Sequence, residues 1–114
     1  MHRGEIWIAN LDPTIGSEIR KTRPVVVVNA DGIGKLPLRV VVPLTDWNDK
    51  YYEYAWMVLI VNDKENNLTK LAAADCLNLR AIDVTRFDRK LGNIRADVLE
   101  DILSAIAIVL DLPP

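Results

Sequence analysis

One cysteine and one histidine are all that this chain of 114 residues offers to thiol and imidazole chemistry. With Cys76 alone there is no intramolecular disulfide and no metal cluster built on cysteines. His2 is the sole imidazole and sits at the N-terminal end, so no Ser-His-Asp or Cys-His catalytic unit can be assembled. No spacing of ligand residues resembles a zinc or calcium site, and no metal or cofactor is expected. Long apolar runs are also lacking. The longest, Ala55 to Val61, is far too short to span a bilayer. Met1-His2-Arg3-Gly4-Glu5 has no charged-then-apolar export pattern, so a cytoplasmic protein with no membrane partner is expected. Gly32-Ile33-Gly34 lacks the third glycine and the following helix of a phosphate-binding fingerprint. Nor is one sign of charge in excess. Fourteen basic against sixteen acidic residues give a net charge of -2, which argues against coating nucleic acid by bulk charge. It leaves room for a local anion site.

What is present is apolar. Half of the chain is hydrophobic, enough to bury a core without disulfides or metals, and the length suits a single domain over residues 1–114. The chain is organised around residues 16–28. Gly16-Ser17-Glu18-Ile19-Arg20-Lys21-Thr22 is polar and basic, Arg23-Pro24 is the junction, and Val25-Val26-Val27-Val28 is an apolar run. A loop of charged groups set directly onto a buried strand is held rigidly while solvent reaches it. The basic groups Arg20, Lys21 and Arg23 cluster there, whereas Asp46, Asp49 and Glu53 are expected to concentrate acidity elsewhere.

Glu5 to Asn10 reads as a strand closed by the turn residues of Asn10-Leu11-Asp12-Pro13. Pro24 biases Arg23 toward extended backbone, and Val25 to Asn29 should be a strand buried on both faces. Asp31-Gly32 signals a turn, Gly34 and Pro37 keep the connection irregular, and the chain returns as a strand from Leu38 to Thr45. An antiparallel hairpin of that length brings Arg23 and Thr45 to the same edge. Asp46 to Glu53 reads as a loop, Ala55 to Val61 as a fourth strand, residues 62–67 as a solvated turn and Ala73 to Arg80 as a fifth extended segment. Val84 to Asp88 suits a single helical turn. Asp97, with Glu100 three residues on, has the form of a helix cap. Val98, Leu99, Ile102, Leu103, Ile106, Val109 and Leu110 then share one face, Ile108 interrupts the polar one, and Pro113-Pro114 ends the helix. Strands first and one amphipathic helix last give a mainly β, α+β fold. It is a small curled sheet or barrel of about five to seven strands capped by a C-terminal helix.

Few residues carry chemistry. Cys76, inside an apolar segment, reads as a small buried residue without a reactive role. Trp7 and Trp56 lie in strands and read as core. Trp47, Tyr51, Tyr52 and Tyr54 read as an exposed surface. Arg23, Thr45 and Glu18 remain. The residues alone reach a small β-rich domain with a candidate anion site.

Several short motifs then fall in order from residue 3 to about residue 110. They are Arg3-Gly4-Glu5-Ile6-Trp7, Leu11-Asp12-Pro13, Gly16-Ser17-Glu18, Arg23-Pro24-Val25-Val26-Val27, Pro43-Leu44-Thr45 and Leu79-Arg80-Ala81-Ile82-Asp83. Together they resemble the MazF/PemK (Kid) toxins of bacterial toxin–antitoxin systems. That resemblance implies an SH3-like barrel of the CcdB/PemK kind with a C-terminal helix, assembled as a homodimer. It implies an endoribonuclease (an mRNA interferase) that cuts single-stranded RNA at short motifs without a metal and is neutralised by a cognate antitoxin. Arg23 and Thr45 match the family's catalytic arginine and threonine, and Glu18 an acidic position that serves as base, as RNA positioner or as neither. Ser17 and Asn78 fall where members contact RNA, with Asn78 replacing the glutamine often found there. Arg20, Lys21 and Arg80 complete the expected RNA-binding set.

Two other classes share the fold. A gyrase-binding toxin of the CcdB type would need neither Arg23 nor Thr45. A catalytically silent barrel would only bind RNA or a partner.

Overall fold

A computed structural model describes residues 1–33 and 36–113. Gly34, expected in an irregular connection, and Pro114, expected to end the helix, lie outside the described residues. The strands are β1 (Glu5–Asn10), β2 (Thr22–Val27), β3 (Leu38–Asp46), β4 (Met57–Ile60), β5 (Ala72–Asp75), β6 (Arg80–Asp83) and β7 (Phe87–Asn93), followed by the helix α1 (Ala96–Val109). All pairings are antiparallel, in the order β4-β5-β3-β2-β1-β7, with β6 also on β3. The expected mainly β fold with a terminal helix is therefore present, with seven strands among the described residues.

The four valines explain the layering. Successive side chains of a strand point to opposite faces. Val26 and Val28 enter a larger core with Ile6, Val42, Leu44, Ile60, Ala74, Ile94 and the helix residues Ile102 and Ala105. Val25 and Val27 enter a smaller one with Ala9, Leu11, Val41 and Ile82, onto which Trp7, Ile19 and Phe87 pack. Burial on both faces, expected from the unbroken run, is what the sheet shows. Trp7 and Trp56 pack against the cores as expected, while Tyr52 is exposed.

Several boundaries differ from the sequence reading. β2 begins at Thr22 rather than Val25, because Asn10 and Ala9 of β1 pair with Thr22 and Arg23. Arg23 is thus inside the sheet. β4 is shorter than residues 55–61: Met57 N–H donates to the Tyr54 carbonyl (3.0 Å), so the chain is still turning at Ala55 and Trp56. Before it, Asp49–Glu53 forms a 3-10 turn capped by Asn48 inside the expected loop. The segment from Ala73 to Arg80 is not one extended piece. The Asp75 carboxylate accepts from Leu77 N–H and folds Cys76–Asn78 into a 3-10 turn between β5 and β6. The expected helical turn is confined to Val84–Arg86, and Phe87 opens β7 instead.

The helix is capped by Arg95 rather than Asp97, and Asp97 sits in its first turn, where a carboxylate suits the dipole. Arg95 donates to both Asp97 oxygens, Nε at 3.1 Å and Nη2 at 2.9 Å. Leu110, assigned to the buried face, lies at the C-terminal cap and is exposed, as is Ile108. No helix among the described residues is long and apolar enough to cross a membrane.

Candidate active site

Pro43 has no N–H to give to a ladder, and β3 changes partner around it. On one side β3 pairs with β6 as far as Val41↔Arg80 and resumes with β5 at Leu44↔Ala74. On the other, the β2 ladder stops at Val25↔Pro43. Continuing that register by two residues sets Arg23 across from Thr45. Alternation puts Arg23 on the face of Val25 and Val27, and Thr45 on the face of Val41, so both point to the same side of the sheet.

There they share a pocket of about 170 Å³, bounded by Arg23, Pro24, Leu44, Thr45, Asp46 and residues Leu68–Ala72. Arg23 is half-buried, and its Nε donates to the Arg20 carbonyl at 3.4 Å. A guanidinium offers a planar fork of donors and a threonine an alcohol, groups whose chemistry suits a tetrahedral anion. Asp46, expected with the acidic groups elsewhere, stands at the pocket beside Thr45. Lys70 balances it, with Nζ at 3.1 Å from the carboxylate.

Thr69 and Lys70 were not among the residues singled out by sequence. They reach the pocket on a polar turn, and nothing local distinguishes them from other solvated residues. The turn itself is well built. Asp63 accepts from Glu65 N–H and Asn66 N–H, while the buried Asn66 amide accepts from Asp63 N–H and Leu68 N–H and donates to the Val61 carbonyl.

The other expected site residues do not line this pocket. Ser17, Arg20 and Lys21 are exposed on the loop before β2. Glu18 closes a turn of that loop: its carboxylate accepts from Ile15 N–H at 2.7 Å, and its own N–H donates to the Ile15 carbonyl at 3.2 Å. Asn78 and Arg80 hold the same loop from below. Asn78 Oδ1 accepts from Ile19 N–H (3.1 Å), Asn78 Nδ2 donates to Asp75 (2.8 Å), and Arg80 Nη1 reaches the Leu11 carbonyl (3.4 Å). Arg86, absent from the sequence reading, donates to the carbonyls of Asn10 and Asp12. Cys76 is inert: burial, and then the neighbouring Asp75 carboxylate, push its thiol up to about 12.

The class this defines is a small helix-capped antiparallel β-sheet protein with an arginine and a threonine lining one pocket. A family model described as "PemK-like, MazF-like toxin of type II toxin-antitoxin system" matches residues 2–110. The chain belongs to this family. It is similar to the endoribonuclease MazF9 of Mycobacterium tuberculosis (strain ATCC 25618 / H37Rv), with 32% identity over 118 residues and 98% of each chain covered. Among solved structures it is similar to the Mycobacterium tuberculosis toxin MazF-mt6, with a TM-score of 0.76, 26% identity, and 96% and 99% of the two chains covered. It also shares its fold with an endoribonuclease from a mycobacterial species solved in complex with its cognate antitoxin. There the TM-score is 0.77 at 18% identity, covering 100% of this chain and 98% of that one.

Proposed function

We propose that this toxin is a metal-independent endoribonuclease that cuts single-stranded RNA by attack of a ribose 2′-hydroxyl on the neighbouring phosphorus. The 2′-oxygen bonds to phosphorus as the bond to the 5′-oxygen breaks. The 2′-proton is released and the departing 5′-oxygen takes one up. The ends are then a 2′,3′-cyclic phosphate and a 5′-hydroxyl, and DNA, which has no 2′-hydroxyl, is not cut.

The observation that carries this reading is the convergence of Arg23 and Thr45 at one pocket. Extra negative charge develops on the phosphoryl oxygens in the transition state, and preorganised donors aimed there lower the barrier most. Arg23 supplies a planar, charged fork of N–H groups. It stabilises charge and does not act as the base. Thr45 adds a hydroxyl donor. Glu18, whose carboxylate is engaged by Ile15 N–H, shapes the loop, and Ser17, Arg20 and Lys21 on that loop meet the RNA strand.

We take residues 1–114 to act in the cytoplasm as one toxin domain, as a homodimer restrained by a cognate antitoxin that covers the basic loop. The family's place in toxin–antitoxin systems supports the antitoxin, and the exposed apolar end of α1 supports the dimer.

The test is incubation of purified protein with single-stranded RNA, with the ends mapped. Discrete cuts bearing cyclic phosphates, unaffected by EDTA and abolished in Arg23→Ala, are expected. Inhibition of gyrase without RNA cleavage would replace this reading with the gyrase-binding one, and neither activity would leave a silent barrel.

A further inference from the structure

Asp75 is the only carboxylate buried among the described residues, and no cation pairs with it there. Burying an unpaired carboxylate is costly unless hydrogen bonds replace water. Two do so: Leu77 N–H donates to Oδ1 at 3.1 Å and Asn78 Nδ2 to Oδ2 at 2.8 Å. The first bond shapes a turn that an asparagine would shape equally well. The second does something only a carboxylate can do.

An ionised carboxylate accepts and never donates. It therefore forces the Asn78 amide to present its NH₂ group to Asp75, which leaves Asn78 Oδ1 turned toward the loop before β2. There it accepts from Ile19 N–H at 3.1 Å, across 59 positions of sequence. One residue further on, the Arg20 carbonyl accepts from Arg23 Nε at 3.4 Å. The base of the loop is closed by Leu11 N–H donating to the Lys21 carbonyl, and the Ile19 side chain packs on the smaller core. A continuous path thus runs from a buried acid through an amide and a pinned backbone to the guanidinium at the pocket.

We infer that Asp75 is a positioning residue for Arg23: it fixes which way the Asn78 amide faces, and Asn78 then locks the loop whose Arg20 carbonyl aims the guanidinium. This rests on the endoribonuclease reading for its activity readout but not for its structural one. Asp75→Asn leaves two amides whose oxygens are taken by Leu77 N–H and Ile19 N–H, so their NH₂ groups meet unless one of those bonds is given up. Asn78→Asp sets two carboxylates against each other. Combining the two substitutions rebuilds every bond, with the donor and acceptor exchanged only between positions 75 and 78. The new amide at 75 donates to the new carboxylate at 78, whose second oxygen accepts from Ile19 N–H.

The experiment compares the three variants by RNA cleavage kinetics, by hydrogen exchange of the Ile19 amide and by melting temperature. Misplacing a catalytic group by about 1 Å can cost on the order of 10² in rate, so each single variant should lose roughly tenfold or more in kcat, with a smaller change in KM. Ile19 exchange should accelerate in both singles. In the double variant, slow exchange should return and kcat should recover to within roughly threefold of the parent, the signature of two coupled residues. If Asn78 instead touches RNA directly, KM rises and the double variant stays impaired, because a carboxylate at 78 repels phosphate; that overturns the inference. Parental kcat and Ile19 protection in Asp75→Asn would also overturn it. If a single variant unfolds, recovery of Ile19 protection and kcat in the double decides the matter, and failure to recover counts against the inference. Should the parent protein cut no RNA, the function assigned above fails, while Ile19 exchange still tests the relay.

Discussion

Arg23 on β2 and Thr45 on β3 each lie two positions beyond the last β2–β3 pair, Val25↔Pro43, and line the same pocket. The ladder that would carry them ends at a proline, yet each is held from its other side. Arg23 pairs with Ala9 of β1, and Thr45 with Ala73 of β5. The two side chains therefore reach the pocket from backbones held on their other sides, which is the preorganisation that the proposed donor role requires.

Removing the alcohol alone should expose its share of the work. Thr45→Val keeps the β-branched shape and removes the donor, so the rate of RNA cleavage should fall by about 10²–10³-fold, the usual cost of one such donor. Thr45→Ser should retain most activity. Arg23→Lys keeps a charge but not the planar fork and should behave more like Arg23→Ala than like the parent. Single-turnover cleavage of a labelled oligoribonucleotide measures all four. Full activity in Thr45→Val would remove the hydroxyl from the mechanism.

How far the site was legible in the sequence depends on which contacts are local. Four consecutive valines announce a strand buried on both faces, and a short return strand ending in Thr45 makes its meeting with Arg23 geometrically reasonable. Both signals lie within one hairpin. Asp46 directly follows Thr45 in β3, but Lys70 at the pocket and Arg86 under the loop depend on segments that meet only in the folded sheet. The last strand was hidden for another reason. Phe87-Asp88-Arg89-Lys90 is mostly charged because, among the described residues, β1 is the only strand that β7 pairs with and Asp88, Arg89 and Lys90 stay exposed, so its pattern resembles a surface turn. The break between β5 and β6 was masked because one side-chain bond from Asp75 to Leu77 N–H outweighs the extended preference of its neighbours.

Gly92 marks a close approach of two backbones. A Cβ built there would collide with the Glu65 carbonyl oxygen and fall 2.8 Å from the Asn66 carbonyl carbon, and neither can swing away as a side-chain end would. Gly92→Ala must push β7 off the 63–67 turn, whose Glu65 carbonyl also accepts from Asn93 N–H at 2.9 Å. Overpacking of this kind typically costs about 1–3 kcal/mol. Thermal or urea unfolding should show the loss, and an unchanged melting temperature would mean that the two segments separate freely.

Acid should weaken the β1–β7 edge through Glu5. Partial burial pushes its carboxyl upward, but hydrogen bonds from the Trp7 indole, the His2 backbone and the Lys90 ammonium outweigh it and hold the group below its ordinary value of 4.5. A carboxylate with a lowered pKa in the folded state binds its proton more readily when unfolded. Its stabilising contribution is therefore complete above pH 4.5 and declines as pH falls through the lower folded value. Glu5→Gln should flatten this part of the stability curve, with Trp7 fluorescence following the transition. An identical acid limb in the variant would assign the effect to other carboxyls.

The end of α1 should decide the assembly. Ile108, Leu110 and Leu112 are 61%, 53% and 55% exposed at or just beyond its last turn, although the helix already buries Ile102 and Ala105 against the sheet. Three large apolar groups left in water by one protomer are a liability that a second copy can remove, since each is worth about 1.5–3 kcal/mol when fully covered. Replacing Ile108 and Leu112 together by Glu substitutes charge for that area without touching the buried positions 102 and 105. The double variant should melt within a few degrees of the parent at high concentration, yet its dimer dissociation constant should rise by at least about 100-fold. Sedimentation over a dilution series separates the possibilities. If parent and variant dissociate alike, the protomers meet through another face, and if the parent is monomeric at every concentration the apolar end serves no second copy.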